Sequence, residues 1–110
     1  MATEALDVAI GERDGTPVIA LRGDVTGAAT QVLEAGYAQA AEGGPGAVVL
    51  DFADTDYINS SGLAVIVGLL AQARSTGIEI RAQGLSEHYR EIFEITRLSD
   101  FMTIEGTTDD

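Results

Sequence analysis

The sequence predicts an α/β protein: a mixed sheet of four to five strands with helices mainly on one face. Three observations lead there. Short β-branched runs alternate with longer segments of helical spacing through most of the 110 residues. Helical crossovers between strands imply parallel pairing, and such crossovers are right-handed in about 98% of cases. If every crossover moves the same way across the sheet, the helices collect on one face, while a hairpin at the start supplies one antiparallel edge.

Leu6, Val8 and Ile10 alternate with Asp7, Ala9 and Gly11, the pattern of a half-buried first strand. Arg13 to Pro17 reads as a turn, with Gly15 able to take positive φ. Val18 to Arg22 follows as the hairpin partner. Gly23-Asp24-Val25-Thr26 breaks that strand, and Thr26 is placed to cap a helix running to about Ala41. Ala29, Val32, Leu33, Gly36, Tyr37 and Ala40 share one face of it, and Gly43-Gly44-Pro45 stops it.

Ala47 to Phe52 is apolar and β-branched with one acid near its end, which suits a central strand. Ala53 to Ile58 then reads as a crossing of the sheet rim. Asn59-Ser60-Ser61-Gly62-Leu63 opens an almost wholly apolar run to Ala71, too long and too rich in Ala and Leu for a strand. The two serines stand where this helix begins, and serine is a good N-cap. Gly77 is its expected stop. Leu63, Ile66, Val67 and Leu70 share one face, and Val65 and Leu69 lie elsewhere, so most of the helix is expected to be buried. The functional alternative is a small apolar docking patch beside the serines. Ile78 to Ala82 is the next strand. Ser86 is placed to cap a third helix to about Arg97, with Tyr89, Ile92, Phe93 and Thr96 at helical spacing. Phe101 to Glu105 reads as a short last strand and Gly106 to Asp110 as a frayed tail.

Charge is the strongest compositional signal. Eighteen acids face six arginines and no lysine, for a net charge of −12. That argues against a nucleic-acid backbone or an anionic membrane as partner. Without lysine there is no Schiff base and no P-loop lysine. Without cysteine there is no disulfide, thiolate chemistry or cysteine-bound zinc. No apolar run reaches the ~20 residues that span a bilayer. Met1 to Asp7 lacks the basic and apolar regions of a signal peptide, so a cytoplasmic location is expected. The acidity itself has a plain account in solubility or a salt-adapted surface, and a sharper one in steering toward a basic partner.

Ser60 and Ser61 are the first candidates for chemistry, although capping alone is the commoner role of serines at a helix start. A serine hydrolase needs a base. His88 is the single histidine, reads as a solvated surface residue, and leaves no multi-histidine metal site within one chain. Asp51, Asp54 and Asp56 cluster at the strand end, but the calcium-loop pattern is absent and a solvated loop is the better account. A serine at a helix N-terminus does have one further property. The free N–H groups and about half a positive charge there stabilise anions, so its hydroxyl can tolerate a phosphate.

An apolar strand ending in Asp51, nine residues leading to Ser60, then Ser-Gly-Leu opening an apolar helix resembles the anti-sigma factor antagonists of the STAS domain family. Leu21-Arg22-Gly23-Asp24-Val25 is similar to that family's strand before its first helix, and Arg90 to Leu98 to its closing helix. The resemblance covers nearly the whole chain. It implies one STAS domain over 1–110 and a non-enzymatic regulator without cofactor or metal. The unmodified antagonist would bind an anti-sigma factor that is also an ATP-dependent serine kinase. Phosphorylation of Ser60 would break that complex, and a serine phosphatase would restore it. Ser61, Gly62 and Leu63 match the rest of the motif, and with Asp24, Thr26 and Asn59 they form the implied partner-binding surface. Two departures stand out: Asn59 replaces the family's common aspartate before the acceptor, and Thr26, with Asp24 nearby, occupies a loop where the family often has an acid. An alternative reading is a STAS interaction module in another signalling assembly without a sigma factor. An acyl carrier, also small and acidic, would be all-helical, which the strands oppose.

Overall fold

The computed structural model describes residues 6–105. The tail expected at 106–110 and nearly all of the Met1–Asp7 segment lie outside the described residues. Nine elements follow in the order β1 (Asp7–Arg13), β2 (Thr16–Val25), α1 (Thr30–Ala40), β3 (Ala47–Asp51), β4 (Thr55–Ile58), α2 (Ser60–Thr76), β5 (Glu79–Gln83), α3 (Glu87–Ile95) and β6 (Thr103–Ile104). The sheet runs β1-β2-β3-β5-β6, with β4 paired to the far end of β2. Among the described residues only β1 and β2 are antiparallel; every other pair is parallel. From β2 onward each crossover advances one strand in the same direction, so right-handedness places the three helices on one face.

Register explains the core. Ile19, Leu50, Ala82 and Ile104 stand side by side on four neighbouring strands, and the first three are fully buried. The residues before and after each of them in its strand point to the open face, where Arg13 reaches across to donate to Gln83 Oε1 at 2.7 Å. Period-two alternation thus separates an apolar inner face from a polar outer one. Above the inner face, Leu33, Tyr37, Ile66, Leu69 and Phe93 fill the space between the helices and the sheet. Phe93 meets Phe52 edge to face at 5.8 Å.

Several expectations need correction. The sheet has six strands, because Thr55–Ile58, expected as a rim crossing, pairs in parallel with Gly23–Val25. Thr26 caps a 3-10 turn, Gly27–Ala29, and the regular helix starts only at Thr30. The third helix stops at Ile95, short of the expected Arg97, which takes the left-handed conformation. Ser86 caps it as expected, accepting from the Tyr89 N–H, and Gly77 ends α2 at φ 76°. The last strand is only Thr103–Ile104. The second helix is less buried than its composition suggests: Val67 keeps 46% of its surface.

Tyr37 is buried between α1 and the end of α2, beside Thr76, yet its hydroxyl makes no hydrogen bond of good geometry. Burial pushes its pKa up, partly countered by Thr76. The folded state therefore favours the neutral phenol. Its contribution to stability is complete below the ordinary tyrosine range and is lost as pH rises through the shifted value. We expect Tyr37→Phe to be neutral or stabilising by up to ~1 kcal/mol in urea unfolding, since it removes an unpaired buried hydroxyl. In a phenol absorbance titration the parent should show one late-ionising component that the variant lacks.

Candidate functional site

The site forms where β2, β4 and α2 meet. Phe52 and Thr55 close a tight turn after β3, with the Thr55 N–H donating to Phe52 O at 3.0 Å. The Asp51 carboxylate accepts from the Ala53 N–H at 3.0 Å, and the Thr55 hydroxyl donates to Leu21 O at 2.9 Å. These bonds lay the next residues along the end of β2, where Tyr57 pairs with Asp24 and Ile58 with Val25. The Asn59 N–H then donates to Val25 O at 3.2 Å.

Asn59, not either serine, is the N-cap of α2. Its Oδ1 accepts from the Gly62 N–H at 2.8 Å, and its backbone is extended. The expectation of serine capping is thereby corrected. Asparagine caps as well as serine, and only one residue can hold that backbone position. Ser60 is the first helical residue, so its placement at the helix start is as expected. Its side chain is consequently not engaged in holding the helix. The Leu63 N–H bonds to Asn59 O, so the Ser60 and Ser61 N–H groups are the ones left over at this helix end.

The two serines are both exposed but differ in surroundings. Ser61 faces the turn after β2, where a Cβ on Gly27 would stand 3.2 Å from the Ser61 Cβ. Ser60, the preceding residue, lies about 100° around the helix axis from Ser61 and is exposed. Gly62 is buried against the end of β2: a Cβ there would overlap the Val25 carbonyl. Leu63 is half-buried and packs on the core. Asp24 and Thr26 are half-buried in the adjoining strand end and turn, and the Thr26 hydroxyl accepts from the Ala28 N–H at 3.2 Å. Asp24, Thr26, Asn59, Ser60, Ser61, Gly62 and Leu63 are thus brought together at one end of the sheet.

Other candidates lie outside that arrangement. His88 is exposed on α3 and contacts the Tyr89 ring edge to face at 4.9 Å. Asp54 stands 3.9 Å from Arg22 with both side chains solvated, and Asp56 is exposed. Among the described residues no three carboxylates or histidines converge as metal ligands. No helix there is long and apolar enough to cross a membrane. One supporting contact was illegible in the sequence. The Tyr89 hydroxyl accepts from the buried Ile58 N–H at 3.0 Å, tying α3 to the strand that precedes Asn59. Helical spacing placed Tyr89 on the inward face of α3 but carried no sign of its distant partner.

The family model described as Mlab, STAS domain matches residues 8–104. The chain belongs to the STAS domain family. A Bordetella bronchiseptica relative described as an anti-sigma factor antagonist, BtrV, is 38% identical over 91 residues, covering 83% of this STAS chain and 76% of the relative. Among solved structures, an anti-sigma factor antagonist from Mycobacterium paratuberculosis superposes with a TM-score of 0.73 at 20% identity, over 94% of this chain and 87% of that one. The Bacillus cell fate determinant SpoIIAA, solved in its phosphorylated form, gives a TM-score of 0.66 at 20% identity, over 93% and 92% of the two chains. The STAS fold that the resemblance implied is the fold observed, and it has the mixed sheet expected from the strand and helix order.

This geometry makes four substitutions informative. Gly62→Ala should cost about 3 kcal/mol or more, because the added methyl meets a backbone carbonyl that cannot turn aside. Asn59→Ala should cost ~1 kcal/mol through loss of the cap, whereas Asn59→Asp should retain it. Ser60→Ala should change stability by less than ~0.5 kcal/mol. Urea unfolding of the four variants beside the parent checks this order.

Proposed function

We propose that this STAS protein is an anti-sigma factor antagonist whose binding to a serine-kinase anti-sigma factor is switched off by phosphorylation of Ser60. The single observation that carries the reading is the placement of Ser60. It is exposed at the first position of α2, relieved of capping by Asn59, beside backbone N–H groups without an intrahelical acceptor. Phosphoserine adds ~1.5 to 2 negative charges at neutral pH. At a helix N-terminus such charge is stabilising, typically by ~0.3–1 kcal/mol when exposed, so the fold tolerates it. A partner surface packed closely over an uncharged hydroxyl does not, because the new charge must be desolvated or repelled. ATP belongs to the kinase, and a serine phosphatase resets the switch. The arrangement of Ser61 against the turn at Gly27 favours Ser60 as the acceptor. Asp24, Thr26, Asn59, Ser61, Gly62 and Leu63 form the surrounding contact surface.

A second reading, a STAS module in an assembly without a sigma factor, draws support from the matching family model, which bears the name Mlab and not that of a sigma regulator. Co-purification of partners from the native cell separates the two. With the kinase in hand, mass spectrometry after incubation with ATP should place phosphate on Ser60. Phosphate on Ser61 alone, or full modification of Ser60→Ala, overturns the assignment. In calorimetry Ser60→Asp should bind the kinase at least about tenfold more weakly, or ~1.4 kcal/mol, while melting within a few degrees of the parent. Ser60→Ala should bind and escape regulation. Authentic phosphoprotein should behave as Ser60→Asp does.

A further inference from the structure

Ser60, Ala64, Val67, Ala71 and Arg74 follow one another at steps of four, three, four and three residues, and all five are exposed. That spacing makes them a single stripe along α2, ~21 Å long at 1.5 Å per residue. The opposite flank of the helix, with Val65 and Leu69, is taken up by the core and by α1. The stripe's lower half opens into a groove of about 320 Å³ whose walls are Val67, Leu70, Ala71, Arg74, Leu98 and Phe101 together with Thr96 and Arg97. Val67 and Phe101 keep 46% and 51% of their surface there, and Ile95, at 75%, directly precedes Thr96 in the wall.

The charge of this groove is anomalous for a chain of net charge −12. Arg97 is held by Asp100 at 2.8 Å. The Arg74 guanidinium lies over the Phe101 ring at 5.2 Å and has no carboxylate within salt-bridge distance among the described residues. A carboxylate on a partner is repelled by most of this acidic surface and attracted here, which fixes the direction in which the partner lies along the helix.

We infer that the partner's footprint runs the length of α2, from Ser60 to the Phe101 groove, and ends there with an apolar side chain in the groove and a carboxylate on Arg74. The inference rests on the Ser60 reading above and names the chemistry of the same partner's far end. A stripe ~21 Å long fits within the standard footprint of ~800 Å² per partner, a patch roughly 28 Å across. The aromatic and arginine pair at its end are the residue types that most often carry interface energy.

The test is calorimetry of the kinase anti-sigma factor against the parent, Ser60→Asp, Phe101→Ala, Arg74→Gln and Gln72→Glu. The last two change net charge equally, but Gln72 lies off the stripe. Phe101→Ala should weaken binding at least about tenfold and Arg74→Gln about fivefold, whereas Gln72→Glu should stay within about twofold. Matched melting temperatures verify the folds, and Val67→Lys replaces Phe101→Ala if that variant fails to fold. If Ser60→Asp blocks binding while Phe101→Ala and Arg74→Gln bind as the parent does, the footprint stops at Ser60 and the inference fails alone. If Ser60→Asp and phosphoprotein bind normally, the switch reading fails and takes the inference with it. If Arg74→Gln and Gln72→Glu weaken binding equally, net charge and not a contact at Arg74 is responsible, and the carboxylate assignment is overturned.

Discussion

The Val25 carbonyl is the point on which the site depends. It ends β2, accepts the Asn59 N–H at 3.2 Å, and lies directly beneath Gly62. A helix can start this close to a strand end only if its third residue has no side chain. The close approach in turn points the first turn of α2 outward beside Asp24 and Thr26. Every residue of the candidate surface takes its place from that contact. Replacing the glycine would lift the helix start away from the sheet. The serine itself could be changed without disturbing it, so the parts of the site that make it possible are separate from the part that is exposed to act.

Fold class was legible because it rests on local signals. Alternation around Ile80, the stop at Gly77, the cap at Ser86 and the hairpin turn at Gly15 are each encoded within a few residues. The missed features are the ones decided at a distance. Thr55–Ile58 contains one acid and one exposed tyrosine and shows no apolar alternation. It is a strand because the end of β2, some thirty residues earlier, offers unpaired backbone groups, and buried backbone must find partners. The Tyr89 bond to Ile58 belongs to the same class. The capping error has a different origin. Asn and Ser are nearly equivalent caps, so composition could not choose among Asn59, Ser60 and Ser61; the approach to Val25 chose. At the site, Ser60 at a helix start could be read from the sequence, while its freedom from capping could not.

Burial of α2 was overestimated for a related reason. A helix apolar on nearly all sides is read as enclosed when neighbours flank it on both sides. Here α1 closes on the Val65 and Leu69 flank, but α3 ends at Ile95 and the chain turns through Leu98–Asp100 before β6. That early stop leaves the Val67 flank uncovered. Arg97 takes φ 68° at the turn, and its salt bridge to Asp100 closes it. The groove is therefore a consequence of where one short helix ends, a boundary of the kind that sequence patterns locate least well.

Asn59 bears on how a charge at Ser60 is tolerated. Aspartate at a cap position is favoured by the helix dipole, since its carboxylate faces the positive end. The same carboxylate would stand one residue from a phosphate on Ser60, and two anions at one helix terminus share a single partial positive charge. With asparagine the hydrogen bond to the Gly62 N–H is kept at 2.8 Å without that repulsion. A phosphate at Ser60 then has the Ser60 and Ser61 N–H groups and the dipole to itself. The phosphorylated fold should lose little through the substitution, and any effect of a missing aspartate falls on recognition by another protein. The departure from the family pattern thus separates two roles of the residue before Ser60: holding the helix start, which an amide performs fully, and presenting a charge, which it does not.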